Sequence, residues 1–450
     1  MQKSFRCFLF SFLFFLSAAF AASDNQAINQ QLQAMQTQLN QQNKEIQTLN
    51  KKLQEREKLV PTETLKRLNL HTRREAGEPA EFIRVYSPEE LQAQKQAQQP
   101  EKKKEAAPQK KNKLEFSYYG QITPAFMYSN DGHGTNGYLV TNDVNPSLIG
   151  GFATIHLNPA LKVGANVEIG LLANPSDGMS QVQSATDRLD LRKAQTFIRS
   201  DKWGSIWFGK GRVSGDGMQH VDLSGTMLAG YASVSDIGGD LLLYDNSTHS
   251  LSAISISEVF TDLNTHSREV RFRYDTPRWK GFHFSVSAMQ NNNEDAALTY
   301  EKQFKLFKLA GATSWTSPQD INADPDVVHG PVWDGSVSAL FNNGINGTFA
   351  LGKLISKTTG RDDPHFWYGK LGYQHHWFSP GKTFLSVDCG RYDEYLQNND
   401  KGKTYGAEVV QGIDAWDLSV YAGYRHFVFD RPGSDFGNMQ TFITGVFFSF

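Results

Sequence analysis

The sequence predicts an all-β fold, a transmembrane antiparallel β-barrel, preceded by an α-helical coiled coil. Three observations support this fold class: an export signal at the start, long alternating strands after residue 113, and an uncharged final strand, QTFITGVFFSF, that ends at Phe450. The alternating strands reach ten or twelve residues. Strands of soluble sandwiches usually have about five or six residues, whereas a tilted strand needs about ten to cross a bilayer.

Residues 1–22 have the pattern of a secretory signal peptide. Lys3 and Arg6 precede an apolar run that ends at Phe15, and Ala19-Phe20-Ala21 has the small-x-small form of a cleavage site. A short membrane anchor is the alternative. Cleavage would leave Cys389 as the single cysteine of the mature chain, so no intramolecular disulfide is expected.

Residues 23–60 are predicted to form a periplasmic coiled coil. Apolar residues recur every seven positions in one series, and a second series is offset from it by four and then three. The first series is Leu32, Leu39, Ile46, Leu53 and Val60, and the second is Ile28, Met35, Gln42, Leu49 and Arg56. Polar residues fill the other positions, so the apolar stripe needs a partner. Self-association would cover it, and so would docking on the rest of the chain.

The charge of the chain changes sign near residue 113. Residues 22–113 contain 17 Lys and Arg against 12 Asp and Glu, a net of +5, and residues 114–450 contain 26 against 35, a net of −9. Residues 61–113 are therefore predicted to be a charged, flexible linker, and 114–450 the barrel. In an exported chain the basic linker is better explained as a spacer than as a nucleic-acid contact, so we predict no nucleic-acid partner.

The strands after residue 114 have one apolar and one polar face. The stretch FSYYGQITPAFMY, residues 116–128, places most of its large apolar side chains at even positions. In KVGANVEIGLL, residues 162–172, apolar side chains alternate with Lys162, Asn166 and Glu168. After the signal, no stretch approaches the 18 or more apolar residues of a membrane helix, so a membrane role must depend on strands.

Short and long connections alternate along the chain, which is the layout of an outer-membrane barrel. Short turns are predicted near 158–160, 200–203, 276–280, 342–345, 378–382 and 414–416. Longer polar loops are predicted near 129–146, 172–188, 211–239, 316–333 and 356–364. The barrel has eighteen strands if DLLLYDNSTHSLSAISIS is a hairpin, and sixteen if this stretch belongs to a loop.

The two ends of the predicted barrel carry further signals. Four tryptophans lie beside short turns, where they could form an aromatic girdle at one membrane interface: Trp203, Trp279, Trp377 and Trp416. In a closed barrel the last strand pairs with the first, so the apolar end of the chain has no free edge. Its Gly445, Phe448 and Phe450 resemble the terminal recognition signal of outer-membrane barrels, which makes the barrel-assembly machinery a predicted partner.

Two stretches resemble one family. LRKAQTFIRSDKWGSIWFGKGR, residues 191–212, is similar to the porin pattern of an Arg-x-Ala strand, a short turn, an aromatic-Gly pair and a strand ending in Gly-Lys or Gly-Arg. REVRFRYDTPRWKGFHFSVS, residues 268–287, is similar to the porin strand–Tyr-x-x-Pro–turn–Gly–strand unit. The family is the Gram-negative outer-membrane porins. The coiled coil before the barrel resembles DcaP-type trimeric porins and, more loosely, LbtU-type siderophore porins.

The resemblance implies a homotrimer of sixteen-stranded barrels, so sixteen strands are favoured. It also implies that the third loop folds inward and narrows each pore. By position this constriction is 211–240, which contains four acidic candidates: Asp216, Asp222, Asp236 and Asp240. These carboxylates could face basic residues across the lumen and create a transverse field.

The basic candidates lie on the neighbouring strands. Arg192 matches the lumen arginine of the porin pattern, and Lys210 and Arg212 end the next strand. Arg271 and Arg273 alternate with apolar residues, so they are predicted to point inward; a rim or turn position is the alternative for each arginine. The strand 189–199 departs from the pattern, because Lys193 and Gln195 share a face with Leu191 and Phe197 and make it polar on both sides. We therefore predict a subunit contact there.

The predicted function is a water-filled channel for passive uptake of small polar or charged solutes. The alternatives are a substrate-selective porin for dicarboxylates or an iron–siderophore complex and, more distantly, a barrel enzyme. We expect no enzyme activity, cofactor or metal: the adjacent His375 and His376 point to opposite faces of a strand, and no catalytic set is recognisable. The predicted location is the outer membrane of a Gram-negative bacterium, with the N-terminal segment in the periplasm and in reach of the cell wall.

Overall fold

The computed structural model describes residues 114–321 and 328–450. The signal peptide, the coiled coil and the linker predicted for 1–22, 23–60 and 61–113 lie outside the described residues and stay predictions. In the described part, the wall strands are β1 Leu114–Ile122, β2 Pro124–Asn130, β3 Thr135–Thr141, β4 Leu148–Asn158, β5 Leu161–Leu172, β6 Arg188–Ser200, β7 Gly204–Arg212, β10 Arg268–Asp275, β11 Phe282–Met289, β12 Glu294–Gln303, β13 Phe307–Ile321, β14 Val328–Phe341, β15 Ile345–Leu354, β16 His365–Phe378, β17 Gly381–Asp393, β18 Lys401–Ile413, β19 Leu418–Asp430 and β20 Met439–Ser449. A small hairpin, β8 Leu242–Asp245 and β9 Ser250–Ser255, and a one-turn helix, α1 Ile256–Val259, lie between β7 and β10.

The wall strands close into an antiparallel barrel with sixteen positions around its circumference. β1 and β2 are two halves of one position and β3 and β4 are two halves of the next, because β1 pairs with β4 and β2 pairs with β3. The last strand closes the ring: β20 pairs with β1 at Gln121↔Ser449 and with β2 at Ala125↔Gly445. The sixteen-stranded prediction is confirmed, and the apolar C-terminal strand has no free edge.

The stretch that left the strand number open is a hairpin, but it is not part of the wall. β8 and β9 pair with each other in a separate two-stranded sheet, and a single bridge joins Asp245 of β8 to Phe436. The hairpin contacts the loop between β19 and β20, where the backbone N–H of Gly437 donates to the carbonyl of Tyr244 at 2.8 Å. The alternative in which this stretch belongs to a loop is therefore the correct one, and the hairpin adds no strand to the sixteen of the wall.

Short turns gather at one end of the barrel, the turn end, and longer loops at the other, the loop end. The structure adds a turn at 304–306, where Phe304 N–H donates to Phe307 at 2.8 Å. Two predicted loops are shorter than expected. The loop near 129–146 contains β3, and the one near 316–333 is mostly strand, because β13 and β14 stay paired as far as Ile321↔Val328.

The two faces of the wall differ as the alternation predicts. Outward positions carry exposed apolar side chains, including Leu139, Leu189 and Phe208, while most inward positions are buried. The tryptophans predicted to form a girdle are all exposed at the turn end: Trp203, Trp279, Trp377 and Trp416. None of the helices in the described part of the chain is long and apolar enough to span a membrane.

A β-bulge corrects the prediction that strand 189–199 is polar on both sides. The pairing of β5 with β6 shifts between Glu168↔Lys193 and Ile169↔Leu191, so one extra residue, Arg192, stands on β6. A bulge changes which residues face inward on its two sides. Leu191 therefore points outward, whereas Arg192 and Lys193 are both buried inside. The strand has one polar face, and the predicted subunit contact loses its basis.

Candidate constriction of the lumen

The connection between β7 and β10, residues 213–267, folds into the lumen; we call it the inner loop. Two arginines of β10 hold its start. Arg271 donates from Nε to the carbonyl of Arg212 at 2.9 Å and from Nη1 to Gly209 at 3.0 Å. Arg273 donates from Nη1 to the carbonyl of Val213 at 2.8 Å. Both arginines point inward, as the alternation of β10 predicts, and they direct the chain away from the wall.

Small hydroxyl side chains of the wall then guide the inner loop around the barrel. Ser287 on β11 accepts from the N–H of Ser214 at 2.7 Å, and Ser336 on β14 accepts from the N–H of Val221 at 2.9 Å. Farther on, Ser338 accepts from the N–H of Leu223 at 3.0 Å. Each hydroxyl satisfies a backbone N–H that would cost about 1–3 kcal/mol if it were buried without an acceptor. Residues 213–226 are thereby fixed along the inner wall.

A buried group of charges fastens the loop to the opposite wall. Lys370 on β16 has no exposed side-chain surface, and its Nζ lies 3.0 Å from Asp222 Oδ2 and 4.0 Å from Glu408 Oε2. The same Nζ donates to the carbonyl of Gly230 at 2.6 Å. Next to it, Arg425 makes two bonds to Asp388, at 2.7 and 2.9 Å, and a contact of 3.3 Å to Glu408. Charge at this depth is tolerated because every member has an opposite partner.

The later part of the inner loop fills one side of the lumen with apolar side chains. Phe260, directly after α1, is fully buried and packs edge-on against Tyr392 and Phe427, with ring centroids 5.4 and 5.1 Å apart. Residues 229–263 and the inward faces of β14–β20 belong to one hydrophobic cluster. This side of the barrel is therefore filled with side chains, by the apolar cluster together with the buried charges on β16–β19.

A solvent-open cavity lies on the other side, below the first part of the inner loop. This cavity is bounded by residues 216–221 of the loop and by the wall from β10 to β13. Its charged lining residues are Arg212, Asp216, His220, Arg273, Arg278 and Glu301. The wall here carries small inward side chains, including Ala312. The lumen thus has a packed side against β14–β20 and a polar cavity against β10–β13.

The acidic candidates of the inner loop have local partners. Asp216 Oδ2 lies 2.7 Å from Arg212 Nε, and Asp222 pairs with Lys370. Asp236 accepts from the hydroxyls of Tyr231 and, at 2.9 Å, Ser233. Asp240 is half-buried where its N–H donates to the carbonyl of Asp177 at 2.7 Å. In this arrangement Asp216 lines the cavity, whereas Asp222 and Asp236 hold the loop in place.

The basic candidates divide in a similar way. Arg212 and Arg273 line the cavity, and Arg271 holds the loop. Arg192 is buried beside Glu168, with Nε 2.8 Å from Oε1, and Glu168 also contacts Lys193 Nζ at 3.0 Å. Lys210 departs from its prediction, because it lies opposite Val270, an exposed residue on the outer surface. Directly paired residues share a face of the sheet, so Lys210 does not line the lumen.

Burial and charge shift the pKa values of three loop residues. Burial favours the neutral form of Asp216, but the charges of Arg212, Arg268 and His220 and a hydrogen bond from Asn264 together outweigh it and lower the pKa of this carboxyl. Burial also disfavours the charged form of His220, yet its contact with Asp262 raises the pKa of His220 and lowers that of Asp262. His220 and Asp262 therefore form an ion pair that joins the two limbs of the inner loop.

Sequence reasoning missed the residues that fix the loop. Lys370, Asp388, Glu408 and Arg425 stand on four consecutive strands, and no stretch of sequence brings them together. A signal was present, because each is a charge at an inward position of a strand whose outward positions are apolar. Such a residue is expensive unless it meets an opposite charge. The pairing itself depends on strand register, which the sequence does not specify.

Comparison with known proteins agrees with this architecture. The family described as Gram-negative porin matches residues 94–431, which is more than half of the 450-residue chain. The chain belongs to the Gram-negative porins. As a porin it is an outer-membrane channel for the passive uptake of solutes, and this membership indicates a channel rather than a barrel enzyme.

Solved structures resemble the porin in fold. An anion-selective porin from Comamonas acidovorans is 13% identical, with 75% of this chain and 100% of that chain covered and a TM-score of 0.53. Outer-membrane expressed OmpT of Vibrio cholerae is 12% identical, with coverage of 76% and 99% and a TM-score of 0.50. The outer membrane channel DcaP of Acinetobacter baumannii is 11% identical, with coverage of 75% and 97% and a TM-score of 0.46. No curated protein sequence matches the chain. At these identities the likeness is one of fold.

Proposed function

We propose that solutes cross this porin through the polar half of the lumen, between residues 212–221 and the inner wall of β10–β13. The observation that supports this route is the division of the lumen, with an apolar core against β14–β20 and a solvent-open cavity on the other side. The inward side chains of the wall beside this cavity are small, at Ala297, Ala310 and Ala312. The inner loop would then set the width of the passage.

The charges around this passage suit small polar or charged solutes. Arg212, Arg273 and Arg278 line one cavity together with Asp216 and Glu301. Arg212 pairs with Asp216, and Glu301 Oε1 pairs with Lys308 Nζ at 2.7 Å, so the carboxylates are partly neutralised where they stand. Arg278 is exposed. Arg273 is itself paired, with its Nε 2.9 Å from Asp275 Oδ1, so a positive local field in this passage depends on the exposed Arg278.

The route can be tested by narrowing it. Ala312 points inward beside the cavity, so Ala312→Trp should obstruct the passage and lower single-channel conductance in planar bilayers severalfold. The matched control is Ala339→Trp on β14, an outward position between the exposed Val337 and Phe341. The control should conduct like the wild type, because tryptophan is tolerated on a lipid-facing surface. Equal conductance of the two variants would contradict the route.

A second candidate function is selective passage of anionic solutes such as dicarboxylates. The exposed Arg278, which lines one cavity with Arg212 and Arg273, favours it, because a guanidinium group binds a carboxylate in bidentate geometry. The cavity offers no comparable argument for an iron–siderophore complex. Flux of a solute panel into liposomes distinguishes the two functions. A general porin should rank solutes by size, whereas a selective one should favour dicarboxylates over neutral solutes of equal size, and Arg278→Gln should reduce that preference.

We also propose that the porin is a trimer whose turn end faces the periplasm, with residues 23–60 gathered into a three-stranded rod. Porin resemblance and the heptads support this assembly. Exposed leucines at Leu139 on β3 and Leu189 on β6 supply an apolar contact surface in place of the polar strand first considered. With Cys389 replaced by serine, Leu39→Cys should give intermolecular crosslinks under oxidising conditions. Their absence from a trimeric barrel would refute the rod.

The C-terminal strand supports the proposed assembly route. Phe442, Phe448 and Phe450 are exposed on the outer side of β20, and the backbone of Phe450 bonds with Gly120 of β1. The terminal strand thus closes the barrel, and its outer apolar side chains offer a binding surface to the barrel-assembly machinery. Contact of the rod with the cell wall is a further proposal, which depends on the same orientation.

A further inference from the structure

The buried charges that fasten the inner loop to the wall do not balance. We call Lys370, Arg425, Asp222, Asp388 and Glu408 the core charge group, which contains two cations and three carboxylates. Their side chains are at most 5% exposed, and those of Lys370, Asp388 and Glu408 have no exposed surface. If every member were ionised, the group would carry one surplus negative charge. A carboxylate buried in this way is so unfavourable that it takes up a proton instead.

One of the two cations, Arg425, is matched to Asp388. Its Nη1 donates to Asp388 Oδ1 at 2.7 Å and its Nη2 to Oδ2 at 2.9 Å, in the bidentate geometry that suits an ionised carboxylate. Glu408 receives a single contact of 3.3 Å on Oε1, from the Nη2 that already bonds to Asp388. Asp388 is therefore the ionised partner of this arginine, and Glu408 is only at its edge.

The other cation, Lys370, is matched to Asp222. Its Nζ donates to Asp222 Oδ2 at 3.0 Å, to the hydroxyl of Thr226 at 3.1 Å and to the carbonyl of Gly230 at 2.6 Å. An ammonium group has three protons, and these three acceptors take all of them. Glu408 Oε2 lies 4.0 Å from the same Nζ and receives none. The surplus negative charge of the core charge group therefore falls on Glu408.

The surroundings of Glu408 suit a neutral carboxyl group. It is within hydrogen-bond reach of the carboxyl group of Asp388, and two carboxyl groups share a hydrogen bond only if one of them carries a proton. Its Oε2 also contacts the hydroxyl of Ser386. Backbone lies close on two sides, since a Cβ added at Gly230 or at Gly406 would stand 2.7 or 2.8 Å from Oε1. The inner loop, at Gly230, therefore rests directly on this carboxyl group.

We propose that Glu408 binds a proton at neutral pH, shares it with Asp388, and holds the inner loop against the wall in this neutral form. The core charge group is then balanced. At alkaline pH the proton leaves to bulk water, a negative charge appears beside the backbone of Gly230, and residues 222–230 loosen. The titratable and polar groups that face Glu408 from the elements around it are Lys370 and Tyr368 on β16, Ser386 and Asp388 on β17, Arg425 on β19 and Asp222 in the inner loop.

Infrared spectroscopy of the full-length porin tests for the proton directly. A protonated carboxyl group has a carbonyl stretch that an ionised carboxylate lacks, and isotopic labelling of glutamate side chains shifts this band only if a glutamate produces it. The wild type should show a labelled band at pH 7 and lose it at pH 10, and Glu408→Gln should lack it at both. The matched control is Glu294→Gln, at an exposed position of β12, which should keep the band. A wild type without a labelled band at pH 7 overturns the proposal, and this result needs no variant to fold.

Denaturant unfolding and single-channel recording test the effect on the loop. The folded wild type holds one proton that the unfolded chain releases, so its folding equilibrium constant should fall relative to that of Glu408→Gln by about tenfold for each pH unit between pH 5.5 and 7. The wild type should also conduct with larger and noisier steps at pH 10 than at pH 7, whereas Glu408→Gln should not change. A stability ratio that does not depend on pH, or an equal rise of noise in both proteins, overturns the proposal. The infrared and unfolding results do not depend on the route of solutes, so they can fail while the proposed function stands.

Discussion

Replacing Lys370 with methionine should release the inner loop from the wall. Methionine keeps the length of the side chain but removes three hydrogen bonds of Nζ, to Asp222 at 3.0 Å, Thr226 at 3.1 Å and Gly230 at 2.6 Å. Removing one partner of a buried ion pair costs about 3–5 kcal/mol. We expect the lower end, about 3 kcal/mol, because Asp222 keeps bonds from the N–H of Ser224 at 2.7 Å and from Thr348 at 3.2 Å.

The assay is denaturant unfolding in detergent, together with single-channel recording. Lys370→Met should unfold at a lower denaturant concentration and conduct with larger and noisier steps, because residues 222–230 lose their anchor. Adding Asp222→Asn should recover part of the stability, since it removes the uncompensated carboxylate, and the double-mutant cycle should give a coupling of about 1–3 kcal/mol. Lys353→Met is the control, because its pair with Asp363 is exposed and should change stability by about 1 kcal/mol or less. A Lys370→Met variant that matches this control in stability and noise would refute the reasoning.

Three further predictions concern other parts of the barrel. Asp262 raises the pKa of His220 above its usual value of about 6.5. The ion pair therefore stabilises the inner loop below about pH 6.5 and is lost as the pH rises through the raised pKa. In denaturant unfolding, His220→Asn should lower the free energy of unfolding more at pH 5.5 than at pH 9. Glu168→Gln should cost about 3 kcal/mol, because it leaves Arg192 and Lys193 buried without their carboxylate, and an unfolding midpoint equal to the wild type would contradict this. Gly204→Ala, in the turn after β6, should lower the melting temperature more than Gly360→Ala does. Both glycines have positive φ, at 82° and 81°, but only at Gly204 would an added Cβ meet a neighbouring backbone carbonyl. Thermal melting of the two variants measures the difference.

The sequence alone was sufficient for the wall of the barrel. Alternation identified the two faces, and turn chemistry located most short connections, because side-chain period and turn composition are local properties. The bulge at Arg192 was not predictable in the same way. One extra residue exchanges the two faces of a strand. Strict alternation then predicts a strand that is polar on both sides, although only its inner face is polar.

The candidate site was predictable in part. Arg271 and Arg273 could be placed inside, since their strand alternates regularly. The face of Lys210 could not be predicted, because the family pattern specifies its position along the strand and not the face to which it points. The local pairing of Asp216 with Arg212, in place of charges facing each other across the lumen, depends on how the inner loop folds back. That path is set by contacts with distant strands, which a single sequence does not show.

The central claim is that the passage runs along β10–β13 and that the side against β14–β20 is a packed core. Cysteine accessibility tests it most directly, in a background where Cys389 is serine. Ala312 and Ala350 both point inward, but Ala312 borders the cavity and Ala350 is fully buried in the core. A small anionic methanethiosulfonate reagent should block the conductance of Ala312→Cys and leave that of Ala350→Cys unchanged. Block of Ala350→Cys, or no effect on Ala312→Cys, would contradict the account.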